Sequence, residues 1–492
     1  MTEQRSDPAS RGQVLVGVIL GLTVLFLAVA RLRFAITEPL WFDETFTLAL
    51  ASRPDWASFW HEVYLDSNGP VYYLIMRLWT LAFGTSDLAL RLPTLLAVCL
   101  AGLLPIFVRL KGMSAAARVT WGALIFAWWG VGFFLDARCY AMLLAVSTGQ
   151  CLAFGRLMEG PSLRRAFGWA TLAALAILLH YYAVFLGLAQ GLVYLARYRE
   201  RAIKTWPAGL AFMPAFGWIA YHAPRIGEYS KLSGVWHPPL GAQGVWDLIG
   251  FAFGPTLPVI VLVLTCILGI GYLLGREGRG EVLPTSGAVV LSAVAGVLAF
   301  GLMLTFGLLG PGLSARYLIS ICPALMLGVV MLAGASGRAQ FSYLALIAVY
   351  FGFQIGPSLE ALGPAKPLPR YEFETGSRFL VAHGVSDVVF VWDHELAPII
   401  KSSTLDAVGG VFFARDGHRI AVHPLSLDPQ RDPNLEIIAA ASGPRPGMIW
   451  LFNRQGNTVA SRYAPTIAKV SGWHCTEQGN GLMGSLACYQ AP

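Results

Sequence analysis

The sequence predicts a mainly helical membrane protein: a bundle of about eleven spans followed by a small extracytoplasmic α/β domain. Three observations carry this reading. Of 492 residues, 56% are hydrophobic and 13% charged, where soluble domains carry about 25% charged residues. The mean hydropathy is +0.60, and a soluble chain of this balance would expose far too much apolar surface. Apolar stretches near the length a helix needs to cross a bilayer, about 20 residues, recur between residues 14 and 357, and the loops between them alternate between basic and non-basic. Intrinsic disorder, a coiled coil and a free cytosolic enzyme are excluded.

The first stretch resembles a signal peptide. However, Arg31-Leu32-Arg33 follows it with no small-residue cleavage site, so it reads as an uncleaved span. The expected spans are 14–35, 86–109, 117–135, 139–157, 166–182, 183–198, 205–222, 250–274, 285–309, 317–335 and 339–357. The apolar run from Pro70 to Phe83 is short and holds Arg77 at its middle, so it reads as a helix lying in the interface. Arg5/Arg11, Arg109/Lys111/Arg118, Arg156/Arg164/Arg165, Arg197/Arg199/Arg201/Lys204, Arg276/Arg279 and Arg338 then share one side, which the positive-inside rule makes cytoplasmic. This places the N-terminus inside and the C-terminus outside a multi-pass protein of the inner cell membrane. The net charge of +7 belongs to these loops and not to nucleic-acid binding, since no basic run is interleaved with aromatics.

Residues 1–357 form the membrane domain, with a long first outside loop at 36–87 and another at about 222–247. Residues 358–492 form the outside domain. It opens on a linker with Gly363, Pro364, Pro367 and Pro369, and continues with a helix near 373–383 and strand-like runs at 387–392, 411–414 and 448–452. Cys99, Cys139, Cys151, Cys266 and Cys322 lie in or beside apolar runs as packing residues. Cys475 and Cys488 would pair if their region faces an oxidising compartment. Neither CxxC nor HExxH occurs, so no motif requires a metal, although a divalent ion stays open.

The span centres carry almost no ionisable residues, which argues against an ion-coupled carrier. Charged groups sit at the outer ends instead. Asp43 and Glu44, in Trp41-Phe42-Asp43-Glu44, follow the first span. A carboxylate partly withdrawn from water is a better proton acceptor, so Asp43 reads as a general base with Glu44 as its orienting group; the alternative is a helix cap by Asp43 with Glu44 in the first turn. Asp66 and Asn68 either meet a polar headgroup or serve only the turn before Gly69-Pro70. Asp136, Arg138 and Tyr140 lie together on the second outside loop, either as a phosphate site or as a local ion pair. His180-Tyr181 and Arg316-Tyr317 lie at further outer edges, where they either anchor at the interface or capture phosphate through the guanidinium. Acids and arginines from separate loops on one membrane face suit a lipid-linked phosphate.

Trp41-Phe42-Asp43-Glu44, Gly69-Pro70-Val71-Tyr72-Tyr73-Leu74, the stretch Phe83-Gly84-Thr85-Ser86-Asp87-Leu88-Ala89-Leu90-Arg91-Leu92-Pro93, Asp136-Ala137-Arg138-Cys139-Tyr140-Ala141-Met142, His180-Tyr181-Tyr182 and Arg316-Tyr317-Leu318 occur in an order that resembles the GT-C glycosyltransferases of the family-39 type. These include protein O-mannosyltransferases and lipid A aminoarabinose transferases. The resemblance covers roughly residues 14–335. It departs at Asn68-Gly69-Pro70, where the family has His-Pro-Pro, and at Asp136, where it has Glu. The resemblance implies an inverting hexosyl- or pentosyltransferase that takes a sugar from a polyprenyl phosphate to a hydroxyl of a glycan, lipid or protein acceptor. Asp43 would then be the base, and Arg138 and Arg316 would steady the leaving phosphate. Two other readings compete: a lipid or sugar-lipid transporter, with Ser147, Gln150 and Gln190 as polar groups along its path, and a non-catalytic scaffold.

Overall fold

The computed structural model describes residues 8–38, 40–128, 130, 135–236, 239–254, 287–310, 312–335, 339–363, 372–393, 401–426, 433–441, 443–453, 472–478 and 483–490. Helix α1 (Pro8–Thr37) leads into three shorter helices, α2 (Phe42–Ala51), α3 (Trp56–Leu65) and α4 (Pro70–Phe83). These make up the long first loop. Asp55 caps α3 by accepting from the Ser58 amide at 2.8 Å. Pro70 opens α4, where its missing N–H costs nothing. Gly69, just before it, passes so close to α8 (Leu163–Leu179) that a Cβ there would lie 1.9 Å from the Leu178 carbonyl oxygen. Tyr72, Tyr73, Met76 and Arg77 of α4 are buried, while Ile75, Leu78 and Leu81 are exposed, the two-faced pattern of an interfacial helix. Arg77 spends its charge internally, donating to the Ala51 carbonyl at the end of α2 at 2.7 Å.

The bundle continues with α5 (Asp87–Phe107), α6 (Ala115–Phe126), α7 (Tyr140–Glu159), α8, α9 (Val184–Tyr198), α10 (Met213–Trp236), α11 (Ala242–Phe253), α12 (Gly287–Leu309), α13 (Cys322–Gly334) and α14 (Ala339–Leu362). Among the described residues, five helices are long and apolar enough to cross a membrane: Gly17–Thr37 within α1, and α5, α7, α12 and α14. This makes the chain a multi-pass membrane protein. The individual spans depart from the expected ones. The stretch 205–222 is not one helix: a 3-10 segment, Trp206–Phe212, precedes α10, which runs on past His222 with Pro224 inside it. The helix expected at 117–135 is Ala115–Phe126. From residue 255 onward, the expected span 250–274 lies outside the described residues.

The C-terminal domain follows. It contains α15 (Glu372–Ala382), β1 (Asp387–Asp393), α16 (Ser402–Arg415), β2 (Ala421–Ser426), α17 (Pro433–Ala440), β3 (Pro446–Asn453), β4 (Trp473–Gln478) and β5 (Met483–Gln490). The strand order is β2-β1-β3-β5-β4; β2, β1 and β3 are parallel, and β5 is antiparallel to both β3 and β4. Side chains alternate across the sheet. Phe390, Ile449 and Ala487 join Phe373, Leu405 and Phe412 of α15 and α16 in a core continuous with the bundle. Val389, Val391, Met448, Trp450 and Leu486 pack with Ile437 of α17 on the other face. Cys475 and Cys488 face each other across β4 and β5 and form a disulfide. The expected strand at 411–414 is instead the end of α16. Leu405, Val408, Val411 and Phe412 are all buried at helical spacing, so the short apolar run was one face of a longer helix.

Candidate active site

Glu44 organises the end of the bundle where α2, α5 and the loop before α7 meet. It is wholly buried. Its carboxylate accepts from Arg91 Nε at 2.8 Å and Arg91 NH2 at 2.6 Å, from the Trp41 amide at 2.7 Å and from the Ala137 amide at 2.6 Å. The Arg91 guanidinium also donates to the Glu38 carbonyl. One carboxylate therefore ties the end of α1, the start of α2, the body of α5 and the loop before α7. The fork geometry of the pair adds direction as well as strength. The helix cap, which the alternative reading gave to Asp43, is made by Glu44, which reaches back to the Trp41 amide.

Asp43 is thereby free to face the other way and is partly exposed. Its Oδ2 lies 3.5 Å from Arg316 NH1, and its backbone carbonyl accepts from Arg138 NH1 at 3.2 Å. Two guanidinium groups from loops far apart in sequence thus meet on one residue. The Arg138 Nε, Arg316 Nε and His180 Nδ1 atoms are buried without a hydrogen-bond partner among the described residues. Burial works against the charge of Arg138, but Tyr73, Asp43, Tyr140 and Asp66 outweigh it and raise its pKa. Arg316 is likewise raised: burial opposes its charge, and Tyr140, Asp43 and Tyr317 overcome that. Both arginines are held charged, with donors unused, which is the electrostatic condition for receiving an anion.

Aromatic rings wall the cluster. The Arg316 guanidinium carbon lies 5.8 Å from the ring centres of both Tyr140 and Tyr317. His180 sits 4.7 Å from Tyr317 and 5.9 Å from Tyr140. Tyr182 stacks on Tyr317 at 4.5 Å and donates to the Gly312 carbonyl. Of the residues singled out in the sequence, Asp43, Arg138, Tyr140, His180, Arg316 and Tyr317 come together here. Asp136 is buried next to them, its carbonyl accepting from the Arg138 amide at 2.7 Å.

The remaining residues are placed differently. Asp66 Oδ1 accepts from both the Asn68 amide and its side-chain nitrogen, at 2.8 and 3.0 Å, so Asn68 is used in the turn. Tyr181 faces α10 instead, with its hydroxyl 2.7 Å from His222 Nδ1 and 2.9 Å from Trp218 Nε1. Sequence reasoning missed the role of Arg91, and it missed Tyr73, a buried α4 side chain among the groups that raise the Arg138 pKa. Both lie in the quoted motifs. An arginine inside an otherwise apolar helix was the available signal for Arg91. Ser147, Gln150 and Gln190 do not line a polar path: Gln150 donates to Gln190 at 2.9 Å, and Gln190 also accepts from Trp169 Nε1 at 2.6 Å, all within the packed interior. Among the described residues, no three His, Cys, Asp or Glu side chains converge as a metal ion would need.

No protein-family model matches the sequence, and no curated protein matches it. Solved structures do. ArnT from Cupriavidus metallidurans in the apo state superposes with a TM-score of 0.59 at 13% identity, covering 98% of both chains. The chain shares the fold of ArnT. A second ArnT structure from the same organism, bound to undecaprenyl phosphate, matches with a TM-score of 0.52 at 12% identity over 95% of this chain and 98% of that one. The ArnT likeness runs through the C-terminal domain as well as the bundle, since it covers nearly the whole chain. The resemblance read from the short motifs and the fold therefore point the same way.

Proposed function

We propose that the chain is a GT-C-type glycosyltransferase of the inner cell membrane that moves a sugar from a polyprenyl phosphate to an acceptor hydroxyl on the extracytoplasmic face. The observation that carries this is the meeting of Arg138 and Arg316 on Asp43, with buried donors unused, in the fold of a protein that has been seen with undecaprenyl phosphate. The positive-inside rule puts this cluster outside.

The step follows from the groups present. The donor's phosphate lies against Arg138 and Arg316, displacing Arg316 from Asp43. Asp43 takes the proton of the acceptor hydroxyl as the oxygen attacks the anomeric carbon from the face opposite the phosphate. The bond between that carbon and the phosphate oxygen breaks, and its electrons leave on the polyprenyl phosphate. The two guanidiniums oppose that growing charge where few waters compete. Glu44 holds the base without touching substrate. Purified protein given a polyprenyl-phosphate sugar and an acceptor should form product, and Asp43→Asn should not. Arg316→Gln should lose roughly 100-fold or more in rate, as for removal of a positioned charge-stabilising donor. Full activity in Asp43→Asn would remove the base assignment, and transport without product would favour a carrier.

A further inference from the structure

At the opposite end of the bundle from the Asp43 cluster lies a charged cavity, of ≈ 570 Å³, between α5, α7 and α8. Helix α7 rises about 1.5 Å per residue, which puts Arg156 about 24 Å along its axis from Tyr140 and the Asp43 cluster. The two sites therefore address opposite membrane surfaces. The cavity floor and walls are apolar: Leu104, Val108, Leu152 and Leu172. Arg156, Arg164 and Arg165 ring its mouth with Glu159 and Ser162.

The charge there is unbalanced. Glu159 accepts from the Lys111 amide at 2.6 Å. Arg165, itself exposed, donates to the carbonyls of Arg156 and Gly160 at 2.9 and 3.1 Å. Arg156 and Arg164 are exposed, and neither has a carboxylate within ion-pair distance among the described residues. Beside the cavity, Leu100, Leu103 and Phe107 of α5 and Phe167 of α8 are exposed, as a lipid-facing surface is. Two uncommitted guanidiniums above an apolar trough fit a ligand with an anionic head and a hydrocarbon tail. A free phosphate would leave the trough empty, and a peptide would not need it at this depth.

We infer that this cavity binds one anionic glycerophospholipid of the leaflet opposite the Asp43 cluster. Arg156 and Arg164 hold its phosphate, and the start of an acyl chain lies over Leu104, Leu152 and Leu172. Basic pockets between membrane helices on the cytoplasmic side hold anionic headgroups in this manner. The inference does not depend on the transfer reaction.

The test uses the full-length protein in detergent, titrated with dioleoylphosphatidylglycerol or dioleoylphosphatidylcholine, with retained lipid counted by native mass spectrometry. Wild type should retain one phosphatidylglycerol in preference to phosphatidylcholine. Arg156→Gln with Arg164→Gln should weaken that retention by roughly 25-fold, about fivefold per arginine. Gly168 also lines the cavity, and no atom lies within 4 Å of a Cβ built on it. Gly168→Leu should therefore fill the trough and displace the lipid while leaving every arginine in place. Equal retention of the two lipids would mean annular lipid only. Undiminished phosphatidylglycerol binding in either variant would likewise overturn the inference.

Discussion

Replacing Glu44 by Gln tests whether a single buried carboxylate holds the Asp43 end of the bundle together. Each Glu44 oxygen accepts two hydrogen bonds, Oε1 from Arg91 Nε and the Ala137 amide, Oε2 from Arg91 NH2 and the Trp41 amide. Whichever oxygen becomes the amide nitrogen, two donors then face a donor, and the Arg91 charge is left buried without its partner. Two hydrogen bonds to a charged group, at about 1.5–3 kcal/mol each, give roughly 3–6 kcal/mol. That agrees with the ~3–5 kcal/mol for breaking a buried ion pair from one side. The assay is thermal unfolding of purified protein in detergent, followed by tryptophan fluorescence, beside initial transfer rates. The midpoint should fall by roughly 5 °C or more, and transfer should fall with it because Trp41 and Ala137 adjoin the segments bearing Asp43 and Arg138. Adding Arg91→Met to Glu44→Gln should recover part of the loss, since it removes the stranded charge. A Glu44→Gln protein that melts and reacts like wild type would refute the reasoning.

Gly69→Ala should destabilise by about 1–3 kcal/mol or more, as overpacking does, because its methyl group meets the Leu178 carbonyl; unfolding midpoints check this. Thr404→Val removes the hydroxyl that donates to the buried Glu62 carboxylate, so limited proteolysis should release the C-terminal domain more readily than from wild type. Glu374 is raised from its ordinary 4.5, chiefly by burial. Its contribution to stability is therefore fully present below pH 4.5 and is lost as pH rises through the folded value. Wild type should lose stability relative to Glu374→Gln across that rise, and parallel pH profiles of the two would count against it.

Much of the architecture was legible because membrane helices announce themselves by composition. The helical bundle, the turn at Gly69-Pro70, α4 and the later α/β domain all follow from apolar length and turn chemistry. The boundaries were less legible. Helix α10 continues past His222 because polar groups there find partners: His222 Nε2 meets the Tyr64 carbonyl, and Arg225 donates to that of Leu65. Nothing local in the sequence announces such distant acceptors. Among the cluster residues, Asp43, Arg138 and Arg316 stood out as charges at span ends. The motif itself suggested Asp43 as base and Glu44 as orienting group, but not what Glu44 holds on to, because its partner Arg91 lies 47 positions away. The strands β2, β4 and β5 were missed, and 411–414 was misread, since short apolar runs are ambiguous between helix and strand.

The docking of the C-terminal domain has a consequence for biogenesis. Thr404 reaches Glu62 across 342 positions, and Arg415 reaches Asp87 across 328. At about 5–20 residues per second of ribosomal synthesis, the first loop emerges roughly 17–70 s before its partners exist. Until then α2 and α3 lack the surface against which they settle. A stop codon ahead of residue 402 would leave a helical bundle whose Glu62 and Asp87 never meet Thr404 and Arg415.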